Sequence, residues 1–318
     1  MRPKFARATG TLAVMTASTL ILAACSPATS NEPTPTGEAV AEITVEHAQG
    51  STVVPLSPEK VVTFDMASLD TLDTLGVEIA GVPHSNIPDY LSKYLSDSYP
   101  DVGTLFEPNY ELLNEIDPDL IIISHRTAEV FPELSEVAPT IDLSLDFENY
   151  FDSFRSHVET LAEIFELEDE AAERLKALDT QIGESQELAQ TSGTGLIIST
   201  SAGEISAHGT ASRYGWIHEL LGVAPAVEDV EGTTNDSPVP AEFILNANPD
   251  RLFVIDRDIA IRENGPRSQE LLDNDAVRAT TAWSNGNVTY IEPEQAYIVL
   301  NGLTAFSNMV GQVQAGLR

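Results

Sequence analysis

The chain has 318 residues, 42% of them hydrophobic, and carries 50 Asp and Glu against 16 Lys and Arg, for a formal charge of −34 at pH 7. So acidic a chain lacks the basic residues needed for the patches that nucleic acid and anionic membrane surfaces require, which excludes both as partners. Its single cysteine excludes an intramolecular disulfide, and its length suffices for one large domain or two medium ones.

Arg2, Lys4 and Arg7 precede an apolar stretch over 12–24, followed by Cys25 and a polar Ser/Pro/Thr segment. This is the layout of a bacterial export signal over 1–24, because the apolar run is too short and too interrupted to span a bilayer. Leu22-Ala23-Ala24-Cys25 is similar to the lipobox of bacterial lipoproteins, which makes Cys25 the expected site of lipidation, palmitate included. The expected location is the outer face of the cell membrane, with the lipid anchor as the only membrane contact. Losing three positive charges and no negative ones takes the formal charge from −34 to −37. Residues 25–48, rich in Pro, Thr, Glu and Ala and without periodicity, read as a disordered tether.

Short apolar runs then alternate with amphipathic stretches: a strand over 61–64, a helix over 67–75, a strand over 79–82, a helix over 109–116 and a strand over 120–123. Such alternation argues for parallel α/β units. Over 148–190 the pattern turns helical, with Phe151, Phe154, Val158, Leu161, Ile164 and Phe165 on one face. The charged stretch behind them lacks Gly and Pro until Gly183 and reads as one long helix. Alternation resumes beyond Thr194 with apolar runs at 196–199, 252–255 and 288–291. The expected organisation is an N-terminal α/β lobe over 49–150, a helical region with a linking helix over 151–192, and a C-terminal α/β lobe over 193–318.

The two lobes share a pattern. Residues 111–126, from Glu111 through Pro118-Asp119 to Arg126, align without a gap on 242–257, from Glu242 through Pro249-Asp250 to Arg257. Each copy reads as a helix, a Pro-Asp stop, a buried strand and an arginine just past the strand's end. Ligands of open α/β sheets bind outside the carboxyl ends of the strands, so facing lobes would bring Arg126 and Arg257 to one cleft. Either arginine alone is an ordinary surface residue; their repetition makes them candidates.

Several segments carry a more specific likeness: Ser212-Arg213-Tyr214-Gly215 ahead of Ile217-His218, Ile255-Asp256-Arg257, Ile291-Glu292-Pro293-Glu294 with Tyr297, and Gly81-Val82-Pro83 followed by residues 86–91. From Val53 to the C-terminus the chain resembles the helix-linked (class III) solute-binding lipoproteins of iron-siderophore ABC importers, in particular the catecholate binders of enterobactin and petrobactin type. The resemblance implies an α/β fold of two Rossmann-like lobes joined by one long backbone helix, with the ligand cleft between them. It implies an extracytoplasmic binding protein, not an enzyme, that captures a ferric catecholate siderophore and delivers it to an ABC permease with its ATPase. No intrinsic cofactor is implied, the Fe(III)-siderophore being the cargo, and the protein is expected to be a monomer.

The resemblance also assigns residues. Three arginines, one from each of three loops, face the family's cleft and match Arg126, Arg213 and Arg257; Tyr297 matches a tyrosine that can ligate iron. The family's histidine ligand has no counterpart, because the matching loop over 231–237 offers Thr234 or Asn235 as cleft contacts. A saturated hexadentate complex is then expected, with Tyr297 as hydrogen-bond donor or aromatic wall and iron ligation by Tyr297 as the alternative. His125, beside Arg126, is either a substitute ligand or a plain polar contact. Glu111 and Glu242 match the acidic residues that dock on permease arginines, although a Glu in a first helical turn also suits the helix dipole.

Rival classes fare worse. There is no Gly-x-Ser-x-Gly elbow, no phosphate-cradling glycine loop and no His-x-x-x-His pair. Six scattered histidines do not suit a bare Zn or Mn site. The same scaffold binding haem or a cobalamin is the alternative reading, since haem propionates also accept arginines.

Overall fold

The computed structural model describes residues 41–228, 230 and 237–318. Cys25 with the export signal, and Thr234 with Asn235, lie outside the described residues.

β1 (Glu42–His47) and β2 (Gly50–Pro55) pair antiparallel, with Ile43 opposite Val54. β1 falls inside the segment 25–48 that composition assigns to a tether, and the first lobe begins there rather than at residue 49. Ile43 and Val45 alternate with polar neighbours, a strand's period, and Val45 and Val54 are buried in the first lobe's core. The Pro- and Thr-rich residues ahead of them masked that signal.

The first lobe is built on a parallel sheet of β3 (Val61–Thr63), β4 (Leu120–Ile123) and β5 (Thr140–Asp142) in that order. All their residues are buried, which is why β3 and β4 fall within the apolar runs at 61–64 and 120–123, whereas β5, Thr140-Ile141-Asp142, carries too few apolar residues to be read as a strand. α1 (Met66–Leu75) starts where the Asp65 carboxylate accepts the Ala67 and Ser68 N–H groups and stops at Gly76, φ 80°. The strand expected over 79–82 reduces to isolated bridges from Gly81 to Val62 and from Val82 to Asp101. α2 (Tyr110–Ile116) leads into β4.

The helical region is two helices, α3 (Tyr150–Ile164) and α4 (Glu168–Ala189), separated at Glu166, whose φ of 55° breaks the spiral. The 22-residue α4 is the long helix; it runs through Gly183 and spans about 33 Å at 1.5 Å per residue.

The second lobe holds β6 (Thr194–Ser201), β7 (Glu204–His208), β8 (Ala224–Pro225), β9 (Ser237–Val239), β10 (Arg251–Asp256) and β11 (Val288–Ile291), ordered β11-β10-β6-β7-β9 with β8 also beside β6. β10 runs parallel to both β6 and β11. α5 (Ala241–Ala247) leads into β10 as α2 leads into β4.

The sequence repeat is a structural repeat down to its joints. Asp117 and Asn248 end α2 and α5 in the left-handed conformation, at φ 53° and 41°. Two residues on, Asp119 accepts the Glu59 and Lys60 N–H groups, and Asp250 accepts the Thr194 N–H at 2.8 Å. Each Pro-Asp therefore pins the entry of the neighbouring parallel strand, β3 or β6, beside the strand it starts.

α6 (Leu303–Leu317) packs along α4 and also on α1 of the first lobe. There the buried Asp70 carboxylate accepts the Thr304 N–H at 2.8 Å, and Thr71 Oγ1 accepts the Leu303 N–H at 3.2 Å. Ile298, Val299 and Ala305 share a core with the first-lobe strands. The lobes are joined by shared packing as well as by a helix.

Candidate functional site

Both repeat arginines stand just past a strand. Arg126 lies in the 3-10 helix His125–Val130 behind β4, and Arg257 opens the short helix Arg257–Ala260 behind β10. Arg213 comes from the loop between β7 and the helix Trp216–Glu219. That loop folds tightly over itself: a Cβ at Gly215 would collide with the Thr210 carbonyl oxygen.

The three guanidinium groups surround one ring. Their carbons lie 5.9 Å (Arg126), 5.3 Å (Arg213) and 5.2 Å (Arg257) from the Tyr297 centroid. Three like charges gathered this closely repel, and the electron-rich aromatic ring offsets part of that cost. Tyr297 sits on a π-type turn, Gln295–Val299, that follows β11. Such turns are rare and concentrate at functional sites.

Two of the arginines are held differently. Arg257 donates from Nε to the Tyr297 hydroxyl at 2.9 Å and from a terminal nitrogen to Ser201 Oγ at 2.7 Å. Arg213 has a terminal nitrogen that is buried without a hydrogen-bond partner among the described residues. A desolvated, unsatisfied cationic donor is costly unless a ligand completes it. Its guanidinium carbon also lies 5.9 Å from the Phe147 ring.

His125 stacks on the other partner of this group, its ring 5.3 Å from Phe147 at 15°. Its Nε2 accepts the Leu145 N–H at 3.0 Å, so the neutral ring carries its proton on Nδ1. Burial pushes its pKa down, helped by the charges of Arg126 and Arg213 and opposed by Asp65 and Asp142. With one nitrogen occupied and the other protonated, the ring is a hydrogen-bond donor rather than a free metal ligand. His208 and His218 are buried and bonded to Ser199 Oγ and the Val223 carbonyl, at 2.9 and 2.7 Å.

Phe147 and Ser201 are the members that sequence reasoning missed. Phe147 lies in the irregular connection ahead of α3, where neither helical nor strand period applies; Ser201, the last residue of β6, looks like any strand-end serine. Glu111 and Glu242 are both exposed and occupy the second position of α2 and of α5. Among the described residues no three His, Cys, Asp or Glu side chains converge as a metal-binding group, and no helix is long and apolar enough to cross a membrane.

The arrangement suits a bulky anion with aromatic edges. Planar guanidinium groups donate to its oxygens and stack on its rings, and Tyr297 and Phe147 supply flat walls.

Two α/β lobes with separate sheets, bridged by a long helix and carrying a cationic, aromatic-walled cluster at strand ends, define a helix-linked solute-binding protein. The chain belongs to the periplasmic binding protein family, whose model matches residues 61–295. Within that family it falls among the class III siderophore-binding proteins of ABC importers, which are extracytoplasmic and not enzymes.

It is similar to the petrobactin-binding protein YclQ of Bacillus subtilis, at 43% identity over 281 residues, covering 87% of this chain and 88% of that one. The crystal structure of YclQ superposes with a TM-score of 0.84 at 42% identity, covering 87% of this chain and 99% of that chain. The ferric-anguibactin-binding protein FatB of Vibrio anguillarum is 33% identical over 280 residues, covering 86% and 87% of the two chains. The periplasmic catecholate-siderophore binding protein VctP of Vibrio cholerae superposes with a TM-score of 0.81 at 30% identity, covering 86% and 100%.

Proposed function

We propose that the cluster of Arg126, Arg213, Arg257 and Tyr297 captures a ferric catecholate siderophore and that the protein delivers it to an ABC permease. The observation that carries this reading is the convergence of three guanidinium groups on the Tyr297 ring in a chain with so few cations. Three catecholates around Fe(III) leave a bulky trianion with aromatic edges, and the arginines concentrate positive potential at that point of an otherwise repulsive surface. The names of YclQ and VctP, a petrobactin binder and a catecholate-siderophore binder, support the same ligand class.

In this account Arg213 completes its buried donor on a catecholate oxygen, and Arg257 holds Tyr297 as a wall and hydrogen-bonding partner. His125 donates from Nδ1 instead of ligating iron, so a hexadentate complex with a filled coordination sphere is the preferred cargo. Glu111 and Glu242 dock the loaded lobes on permease arginines, and Cys25 carries the lipid that holds the protein at the outer membrane face.

Quenching of intrinsic fluorescence, titrated with a ferric tris-catecholate, a ferric bis-catecholate, a ferric hydroxamate and haemin, tests the ligand class. Selective, tight quenching by the tris-catecholate is expected. Selective binding of haemin or of the hydroxamate would overturn the reading.

A further inference from the structure

Phe147 has a second neighbourhood. A cavity of about 650 Å³ is lined by Phe147, Tyr150, Phe151 and Trp216, and by the acidic residues Glu148, Asp152 and Glu219. The Arg213 guanidinium carbon lies 5.9 Å from the Phe147 ring, and Ser212, its neighbour in the chain, also lines the cavity. The arginine cluster and the cavity therefore meet at Phe147, which touches both.

The two compartments have opposite chemistry. Glu148, Asp152 and Glu219 are exposed, and among the described residues none has a Lys or Arg within ion-pair distance. The nearby Arg155 is taken by Asp179 and by the Phe151 ring. Trp216 is 5% exposed, lines the cavity, and has no partner for its indole N–H among the described residues. Aromatic faces under a carboxylate rim hold organic cations, and an indole N–H takes an amide or hydroxyl oxygen next to such a cation.

We propose that this cavity is a subsite for a protonated amine arm of the siderophore, so that the protein selects a ligand that is anionic at its iron centre and cationic at its periphery. The inference rests on the siderophore reading above and names a chemical feature of the ligand that the arginines alone cannot select.

The test uses the full chain carrying Trp283→Phe, which leaves Trp216 as the only tryptophan. It is titrated with a ferric catecholate bearing one free alkyl amine and with the same complex after acetylation of that amine. The expected result is about tenfold tighter binding of the free amine, with quenching of Trp216, and loss of that preference in the variant Glu148→Gln/Asp152→Asn/Glu219→Gln, whose affinity for the acetylated complex is unchanged. Equal affinity for the two complexes in the parent chain would overturn the subsite and leave the arginine reading standing. Binding of neither complex would overturn both.

Discussion

Arg257 and Tyr297 are joined twice, by a hydrogen bond from Nε to the phenol oxygen at 2.9 Å and by a guanidinium-to-ring distance of 5.2 Å. With Ser201 holding another of its nitrogens, Arg257 is fixed before any ligand arrives. Preorganised donors lose less entropy on binding. Tyr297→Phe keeps the ring and removes the acceptor, so affinity for a ferric catecholate should fall about tenfold, the equivalent of one charge-assisted hydrogen bond. Arg257→Lys should cost as much or more, because an ammonium cannot span Tyr297 and Ser201 in one plane. Titration of each purified variant measures both, and wild-type affinity in either would contradict the fixed-donor account.

The loop of Arg213 supplies a second prediction. A Cβ at Gly215 meets the backbone of Thr210, which cannot yield as a side-chain tip can. Gly215→Ala should therefore shift the loop and weaken ferric catecholate binding by at least tenfold without touching a ligand-facing side chain. Unchanged binding, measured alongside an unchanged melting temperature, would show the loop to be adaptable.

How much of this was legible beforehand follows from where each signal lies. Arg126 and Arg257 were readable because the repeat, Pro-Asp before a strand and Arg after it, survives in both lobes. Its cause is now visible in Asp119 and Asp250, which tie down the neighbouring strands. Arg213 and Tyr297 came only through family likeness, because a loop and a π-type turn leave no periodic trace. Phe147 left no trace at all, and β1 was hidden by the composition of the residues before it. Local period records what packs against a core; it does not record which loop tips meet across a cleft.

Asp70 makes stability depend on pH. Burial raises its carboxyl pKa to about 6, against the lowering effect of hydrogen bonds from Tyr90 and the Ala305 and Thr304 N–H groups. A value raised in the folded state contributes stability that is full below the unfolded value near 4 and is lost as pH rises through about 6. The loss is on the order of 3 kcal/mol. The partly buried His125 and His157 and the buried His218 have lowered values and act in the opposite sense, so the wild-type curve is a composite. The difference between wild type and Asp70→Asn isolates the carboxyl: in urea unfolding, the wild type should lose stability relative to the variant between pH 4 and 7. A constant difference over that range would contradict the assignment.

The lobes should move little on loading. Arg262 of the second lobe donates to the Ile87 carbonyl at 2.8 Å and pairs with Asp89, while the Asp89 N–H donates to Glu294 at 2.7 Å. Together with α6 docked on α1, these contacts resist the hinge bending that extended linkers permit. Small-angle scattering with and without a ferric catecholate should give superimposable profiles, and a marked compaction would contradict this.

Calorimetric titration of a ferric tris-catecholate into the wild type and into Arg126→Ala/Arg213→Ala/Arg257→Ala, with circular dichroism to establish that both are folded, tests the central claim most directly. The account predicts that the heat of binding, strong and salt-sensitive in the wild type, vanishes in the folded triple variant; retention of wild-type affinity there would place the siderophore elsewhere and contradict it.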